Sequence, residues 1–330
     1  MPDFSHTCLV ADIGGTHGRF AIYDRGHLHQ IKHYTCSDFA TLADLVAGYC
    51  QDLDTDLPQQ AVFAVATYVN SDTIEFTNSH LRFSVNAIAQ QFQFNSLKVI
   101  NDFTAVSLAL PELTREQLIP IGGQQPPPRA AKAVLGAGTG LGVSGLLPHQ
   151  HFWLPVQGQG GHVMVAANNK FEQTVLDFIY QHQGYISAEN LLSGNGLVLL
   201  YQAITGVEDS ANRNYSAADI TRMGISQEDN HCHQVLQVFA SMLGAVAGDL
   251  ALTLGARGGV YLGGGVVYHL RDFLVNNPVL RNRFEQKGAM TDYLKAIPLY
   301  LVTEKNIGLI GAGVAGKAEY AEIGVDNMSM

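Results

Sequence analysis

"LVADIGGTHGRFAIYD", Leu9 to Asp24, is the stretch on which the rest of the chain turns. An apolar run (Leu9, Val10, Ala11) reaches an acid, Asp12. The turn Gly14-Gly15-Thr16 follows, and then a second apolar run from Phe20 to Tyr23. Two β-forming runs separated by glycines read as a hairpin. Glycines leave backbone N–H groups unshielded, so such a turn can cradle an anion, and Thr16 adds a hydroxyl. A carboxylate at the strand end can hold hydrated magnesium, which needs only one or two carboxylates. A single hairpin of this kind is equally well explained as an ordinary tight turn.

The design recurs. "AVLGAGTGLGVSGLL", Ala133 to Leu147, is again an apolar run, a glycine-rich turn and an apolar run. A third site, "GGVYLGGGVV" from Gly258 to Val267, is a strand running into three glycines where backbone can approach a ligand closely. Three such turns, one carrying Asp and Thr, favour nucleotide binding over coincidence. Two hairpins, each leading its own α/β segment, suggest a duplicated core with two facing turns.

The first third alternates strands and helices. Cys8 to Asp12, Phe20 to Tyr23 and Leu28 to Tyr34 read as an antiparallel meander. Asp38 to Asp52 has helical spacing (Phe39, Leu42, Leu45, Val46), with Ser37 as N-cap. Val62 to Ala66 and Leu97 to Ile100 read as strands, and Val85 to Phe92 as a helix. This order predicts an α/β layer. "GGQQPPPR", Gly122 to Arg129, breaks the pattern, so an interdomain crossing falls between Leu110 and Arg129. The second half is more helical: Phe171 to His182, Gly196 to Thr205, Ala217 to Met223 and Gln234 to Gly255. Pro298 to Val302 reads as a last strand and Ile307 to Ala321 as a terminal helix.

Composition narrows the partners. The 330 residues suffice for two domains with their own cores, and a 47% hydrophobic, 15% charged chain is that of a folded soluble protein. Lys plus Arg is 19 against 29 Asp plus Glu, a net charge of −10 without a basic cluster. Nucleic acid is therefore not an expected partner. The four cysteines, Cys8, Cys36, Cys50 and Cys232, form no CxxC pair, and a reducing cytoplasm is the expected location. "HCH", His231 to His233, reads as a helix start, because adjacent helical residues point apart and rarely converge on a metal. No signal peptide is visible, and the most apolar stretch, Phe239 to Ala256, is broken by Asp249 and reads as a buried helix, so no membrane is expected. Gly311 to Lys317 fits GxxxxGK, but Ala318 stands where a magnesium-binding hydroxyl would follow, and close helix packing explains its glycines better.

"DIGGTHGRF", "INDFTA", "GAGTGLG", "GGH", "SAENLLSG" and "GGVYLGGG" occur here in the order found in bacterial glucokinases of the actin-like ATPase/hexokinase superfamily, and the chain resembles that family from Leu9 to about Gly313. The resemblance implies a two-domain α/β actin-like ATPase (ribonuclease H-like) fold, with ATP and sugar in a cleft between domains. It implies a small domain over 1–112, completed by a C-terminal helix over 304–330, and a large domain over 113–303. A homodimer and magnesium are implied as well. Asp12, Gly14, Gly15 and Thr16 look like the first phosphate motif, with Asp12 holding magnesium through water. Gly138, Thr139 and Gly140 look like the second. Gly263, Gly264 and Gly265 resemble the glycines beside the adenosine. Asn101 and Asp102 match the catalytic pair at the sugar, Asp102 being the general base for the sugar 6-hydroxyl. His162 and Glu189 resemble ligands of the sugar hydroxyls.

Taken singly these residues have structural explanations: Asp102 as a helix N-cap, His162 as a satisfied histidine, Glu189 as a first-turn acid after Ser187. Their place in the ordered set lifts them above those. His17 and Gly18 stand where the family usually has Asn and Ala, and a proline is usual near Tyr68. The departure that matters is Gln159, which replaces the Glu before "GGH". Gln keeps one acceptor oxygen, adds donors and loses the charge. A hydrogen bond to a charged group contributes roughly 1.5–3 kcal/mol against about 1 for a neutral one, so glucose binding is expected to weaken by about tenfold. Alternatively, Gln159 admits a different hexose or leaves a sugar-binding protein of weak activity. A sugar-sensing regulator and another enzyme of the superfamily are the remaining alternatives; "GGH" and "SAEN" count against the latter.

Overall fold

The computed structural model describes residues 7–76, 79–208, 213–317, 320 and 325–326. The chain divides into two compact units: residues 1–113, 149–157 and 304–330 in the first, and 114–148 and 158–303 in the second.

The first unit opens with the meander: β1 (Thr7–Ile13), β2 (His17–Asp24) and β3 (His27–Thr35). It continues through α1 (Leu42–Gln51), β4 (Gln60–Val65), the short pair β5 (Thr73–Glu75) and β6 (Arg82–Ser84), α2 (Val85–Gln91), β7 (Ser96–Asn101) and α3 (Asp102–Ala109). β1 pairs antiparallel with β2 and parallel with β4, and β4 is parallel to β7. Alternation along β1 and β2 buries Leu9, Ala11, Ile13, Phe20 and Ile22 against α1 residues Leu42, Leu45, Val46 and Tyr49. Phe20 stacks on Tyr49 with centroids 5.3 Å apart. α1 starts later than its spacing suggests. Thr41 and not Ser37 is the N-cap, because Thr41 and Asp44 form a reciprocal capping box: Asp44 N donates to Thr41 Oγ1 at 3.1 Å and Thr41 N to Asp44 Oδ2 at 3.0 Å.

The second unit comprises β8 (Leu118–Pro120), β9 (Lys132–Ala137) and β10 (Leu141–His149); β11 (Phe152–Gln157) belongs to the first unit. Four helices follow: α4 (Lys170–Gln183), α5 (Ala188–Leu191), α6 (Gly194–Val207) and α7 (Ala217–Ser226). Then come α8 (Asn230–Leu254), β12 (Val260–Gly263), α9 (Gly265–His269), α10 (Arg271–Asn276), α11 (Val279–Glu285), α12 (Thr291–Ala296) and β13 (Leu299–Val302). β9 is antiparallel to β10 and parallel to β12, which is parallel to β13. A hairpin followed by two parallel strands is also the pattern of the first sheet, so the two cores share one plan. α8 is long and apolar enough to cross a membrane, yet 72% of its most apolar window is buried inside the structure, the setting of a core helix. "HCH" lies in its first turn, after the N-cap Asp229.

The chain ends in α13 (Ile307–Ala315) and β14 (Val325–Asp326), which pairs antiparallel with β7. Among the described residues, the helix read over 307–321, and over 304–330, spans Ile307–Ala315. The buried Lys98 on β7 donates from Nζ to Ala315 O at 3.2 Å and to Tyr320 O at 2.7 Å, taking up a last-turn carbonyl where the helix stops. Ala318, Glu319 and Ala321 lie outside the described residues. The glycines of α13 are contact points: a Cβ at Gly311 would collide with the Ala105 carbonyl of α3, and one at Gly308 would sit 2.7 Å from the Asp12 carboxylate.

Candidate active site

β1, β4 and β7 run parallel and end together: Ile13 is level with Val65, and Val65 with Asn101. Ligands bind at the carboxyl ends of such strands. The chain leaves β1 through Gly14-Gly15-Thr16, where Gly14 N donates to His17 O at 2.9 Å. Cys36, buried beneath the turn, braces it by donating from N to Thr16 O at 2.8 Å. The Thr16 side chain is exposed.

Asp12 stands at the end of β1, opposite Arg19 on β2. Arg19 Nη1 donates to Asp12 Oδ2 at 3.2 Å and to Lys305 O at 3.4 Å. Burial raises the Asp12 pKa, and the Arg19 charge and hydrogen bond oppose that rise. Asp102 begins α3. Burial first, and the charge of Asp12 second, push its pKa up to about 7; hydrogen bonds from Phe103 N and Asn101 oppose the shift. A carboxyl poised near neutrality suits a general base.

Asn101 holds this corner together. Its Oδ1 accepts from Phe103 N at 2.9 Å and Thr104 N at 3.2 Å, capping α3. Its Nδ2 donates to Asp102 Oδ1 at 2.8 Å and to Thr67 O at 3.2 Å. The N-cap is therefore Asn101, and Asp102 is freed from that task.

The second unit carries the other candidates. In the turn after β9, Gly138 N donates to Gly140 O at 2.8 Å, and Gly138 O accepts from Gly194 N, the first residue of α6, at 2.9 Å. Thr139 is exposed at the tip. Gly264, at φ +92, lies where a Cβ would strike the Ala137 backbone, so Gly263-Gly264-Gly265 approaches the end of β9 as only glycine can. Gly160–His162 form one 3-10 turn, with His162 N donating to Gln159 O at 3.0 Å. The side chains of Gln159 and His162 are exposed and make no hydrogen bond to the described residues. Tyr185 Oη donates to His162 O, and Ala188 N donates to Val163 O at 2.7 Å. These bonds pin the Gln159–Val163 segment to the start of α5, which carries Glu189. Glu189 Oε2 in turn accepts from Leu141 N at 2.9 Å, just past the Gly138–Gly140 turn. Within this unit the structure therefore joins Gln159, His162 and Glu189 to the second glycine turn.

The glucokinase family model matches residues 9–319. The chain belongs to the glucokinase family. Glucokinase of Nitrobacter hamburgensis is 39% identical over 304 residues, covering 92% of this chain and 95% of the relative. Glucokinase of Chromobacterium violaceum is also 39% identical, covering 92% and 87%. The crystal structure of glucokinase from an Antarctic psychrotroph superposes with a TM-score of 0.85 at 33% identity, covering 94% of this chain and 98% of that one. Membership makes the chain a hexose kinase, an enzyme that phosphorylates glucose.

Two contacts of the candidate residues in this glucokinase-family chain escape a reading of its sequence. Arg19 is the counter-ion of Asp12, a pairing the hairpin register would have exposed once the turn length was fixed. Tyr185 anchors the His162 segment, and no local signal points to it.

Proposed function

We propose that the enzyme transfers the γ-phosphoryl group of ATP to the 6-hydroxyl of glucose, with Asp102 as general base. The observation that carries this reading is Asp102 at the common end of three parallel strands, its pKa raised to about 7. Asp102 accepts the hydroxyl proton as the sugar oxygen attacks. The backbone N–H groups around Gly14, Gly15 and Thr16, and around Gly138, Thr139 and Gly140, stabilise charge on the phosphates. Gly263, Gly264 and Gly265 border the adenosine. Gln159, His162 and Glu189 hold sugar hydroxyls, Glu189 through Oε1, since Oε2 is taken by Leu141 N. In this reading the two units are the domains of an actin-like, ribonuclease H-like kinase that works in the cytoplasm as a homodimer.

The residues fit magnesium held through water. Asp12 and Asp102, at the carboxyl ends of β1 and β7, repel one another, and among the described residues Arg19 alone forms an ion pair with Asp12. Among the described residues no group of three or more His, Cys, Asp or Glu forms a closed metal cage, whereas magnesium bound with its waters needs one carboxylate. Asp12 would hold it, and the bound ion would neutralise phosphate charge.

Gln159 favours a second reading of the preference among hexoses, because an uncharged amide replaces an acceptor carboxylate. Coupled detection of ADP across a panel of hexoses tests both. Turnover on glucose in excess of the other sugars supports the first reading, turnover greatest on another hexose supports the second, and no ADP on any sugar contradicts both.

A further inference from the structure

α4 ends at Gly184, whose φ of +73 suits glycine, and α5 is capped by Ser187. Tyr185 and Ile186 link the two helices. Ile186 joins the core of the second unit, whereas Tyr185 stays 58% exposed. A ring so exposed contributes little to packing. Its hydroxyl has a definite partner: it donates to the carbonyl oxygen of His162, at the end of the Gly160–His162 turn.

That turn is anchored before and after His162. Gly160 and Gly161 lie close on β10, where a Cβ at Gly161 would strike Leu141 O and one at Gly160 the Val143 side chain. Beyond His162, Ala188 N donates to Val163 O at 2.7 Å, and Met164 forms an antiparallel bridge with Ser187. His162 stands between these anchors. Its own N–H is held inside the turn, donating to Gln159 O at 3.0 Å. The next peptide group, His162 C=O with Val163 N–H, has two bonds to described residues: a long one from Val163 N to Gly160 O at 3.5 Å, and the one from Tyr185. Peptide groups are planar, so the direction in which a side chain leaves its Cα follows from the two planes that flank it. Tyr185 holds one of the two planes that aim His162.

We propose that Tyr185 is a positioning residue for the sugar: by fixing the His162 carbonyl, its hydroxyl sets the aim of the His162 imidazole at a sugar hydroxyl. This rests on the reading of His162 as a sugar ligand. Hydrogen bonds weaken steeply as they bend, so a small rotation of the His162–Val163 peptide is enough to cost affinity. Tyr185 acts through His162 and takes no part in phosphoryl transfer. Its effect therefore falls on sugar binding.

The test is Tyr185→Phe, which removes one oxygen and keeps the exposed ring. The glucose KM should rise about three- to tenfold, the worth of one neutral hydrogen bond. The kcat at saturating glucose and the KM for ATP should stay within about twofold of the parent. Titration calorimetry with glucose alone should show the same loss of affinity, and the thermal midpoint should not move. A lowered midpoint together with a lowered kcat would mean a packing defect and overturns the proposal. His162→Ala and the double variant complete a cycle. Since Tyr185 works through His162, the double variant should bind glucose no more weakly than His162→Ala does. Losses that multiply overturn the proposal, as does a glucose KM for Tyr185→Phe equal to that of the parent. If His162→Ala binds glucose as the parent does, the reading of His162 as a sugar ligand falls; if His162→Ala is weakened and Tyr185→Phe is not, the positioning role alone falls.

Discussion

Asp102→Asn should make the protein more stable while it removes activity. Asparagine keeps an acceptor oxygen for Asn101 Nδ2 and Phe103 N, so the local bonds survive and only the charge goes. The Asp102 pKa rises from an ordinary 3.8 to about 7 on folding, by burial and then by the charge of Asp12. At 1.36 kcal/mol per unit, that shift of about 3 units makes the ionised carboxylate a liability of up to about 4 kcal/mol. Folded Asp102 keeps its proton to higher pH than the unfolded chain does. Its contribution to stability is therefore most favourable below about pH 4, declines as pH rises, and is fully lost above about pH 7. The gain from asparagine is accordingly largest at pH 8 and less than half as large at pH 5. At roughly 2–4 °C per kcal/mol, the first unfolding transition should rise by up to about 8–16 °C at pH 8. Differential scanning calorimetry of parent and variant at pH 5 and pH 8 measures this. An equal change at both pH values, or a loss of stability at pH 8, would refute the reasoning, because the carboxylate would then not be strained by its surroundings.

Three further outcomes are expected. Gln159→Glu restores an acceptor carboxylate and should lower the glucose KM by about tenfold; Michaelis constants unchanged for every hexose would show that this position does not set affinity. In Gly140→Ala the new Cβ occupies the place of the Glu189 carboxylate, which must move and lose its bond to Leu141 N, so titration calorimetry should show glucose affinity reduced by tenfold or more. Unaltered affinity would detach Glu189 from the sugar. Arg19→Ala leaves Asp12 at its strand end without its counter-ion, raising its pKa further. The stability lost should grow from pH 4 to pH 8 in urea titrations, and a deficit that shrinks over that range would contradict the pairing.

Much of this was legible in the sequence because local rules and tertiary needs agree. The β1–β2 hairpin is written as two apolar runs around Gly14 and Gly15, and its echo at Gly138 and Gly140 marks the second core. Asn101-Asp102 is visible as polar residues ending an apolar strand. The Thr41–Asp44 capping box was also written there, but Ser37 offers the same N-cap chemistry, and only the packed α1 face decides between them. The end of α13 was not legible: its last carbonyl is taken by Lys98, which lies far away in sequence. The glycines of that helix were legible as close-packing positions, because Ala318 lacks the hydroxyl of a phosphate loop, but that Ala105 and Asp12 are the groups packed against them is a product of tertiary structure. The saturated amide of Asn101 is equally a product of tertiary structure, since Thr67 reaches it from the loop after β4.

The most direct measurement is the turnover of Asp102→Asn beside its affinity for glucose. Loss of phosphoryl transfer by on the order of a hundredfold or more, with glucose still bound within a few-fold of the parent, is the result expected of a general base. Turnover retained near the parental rate would contradict the account at its centre.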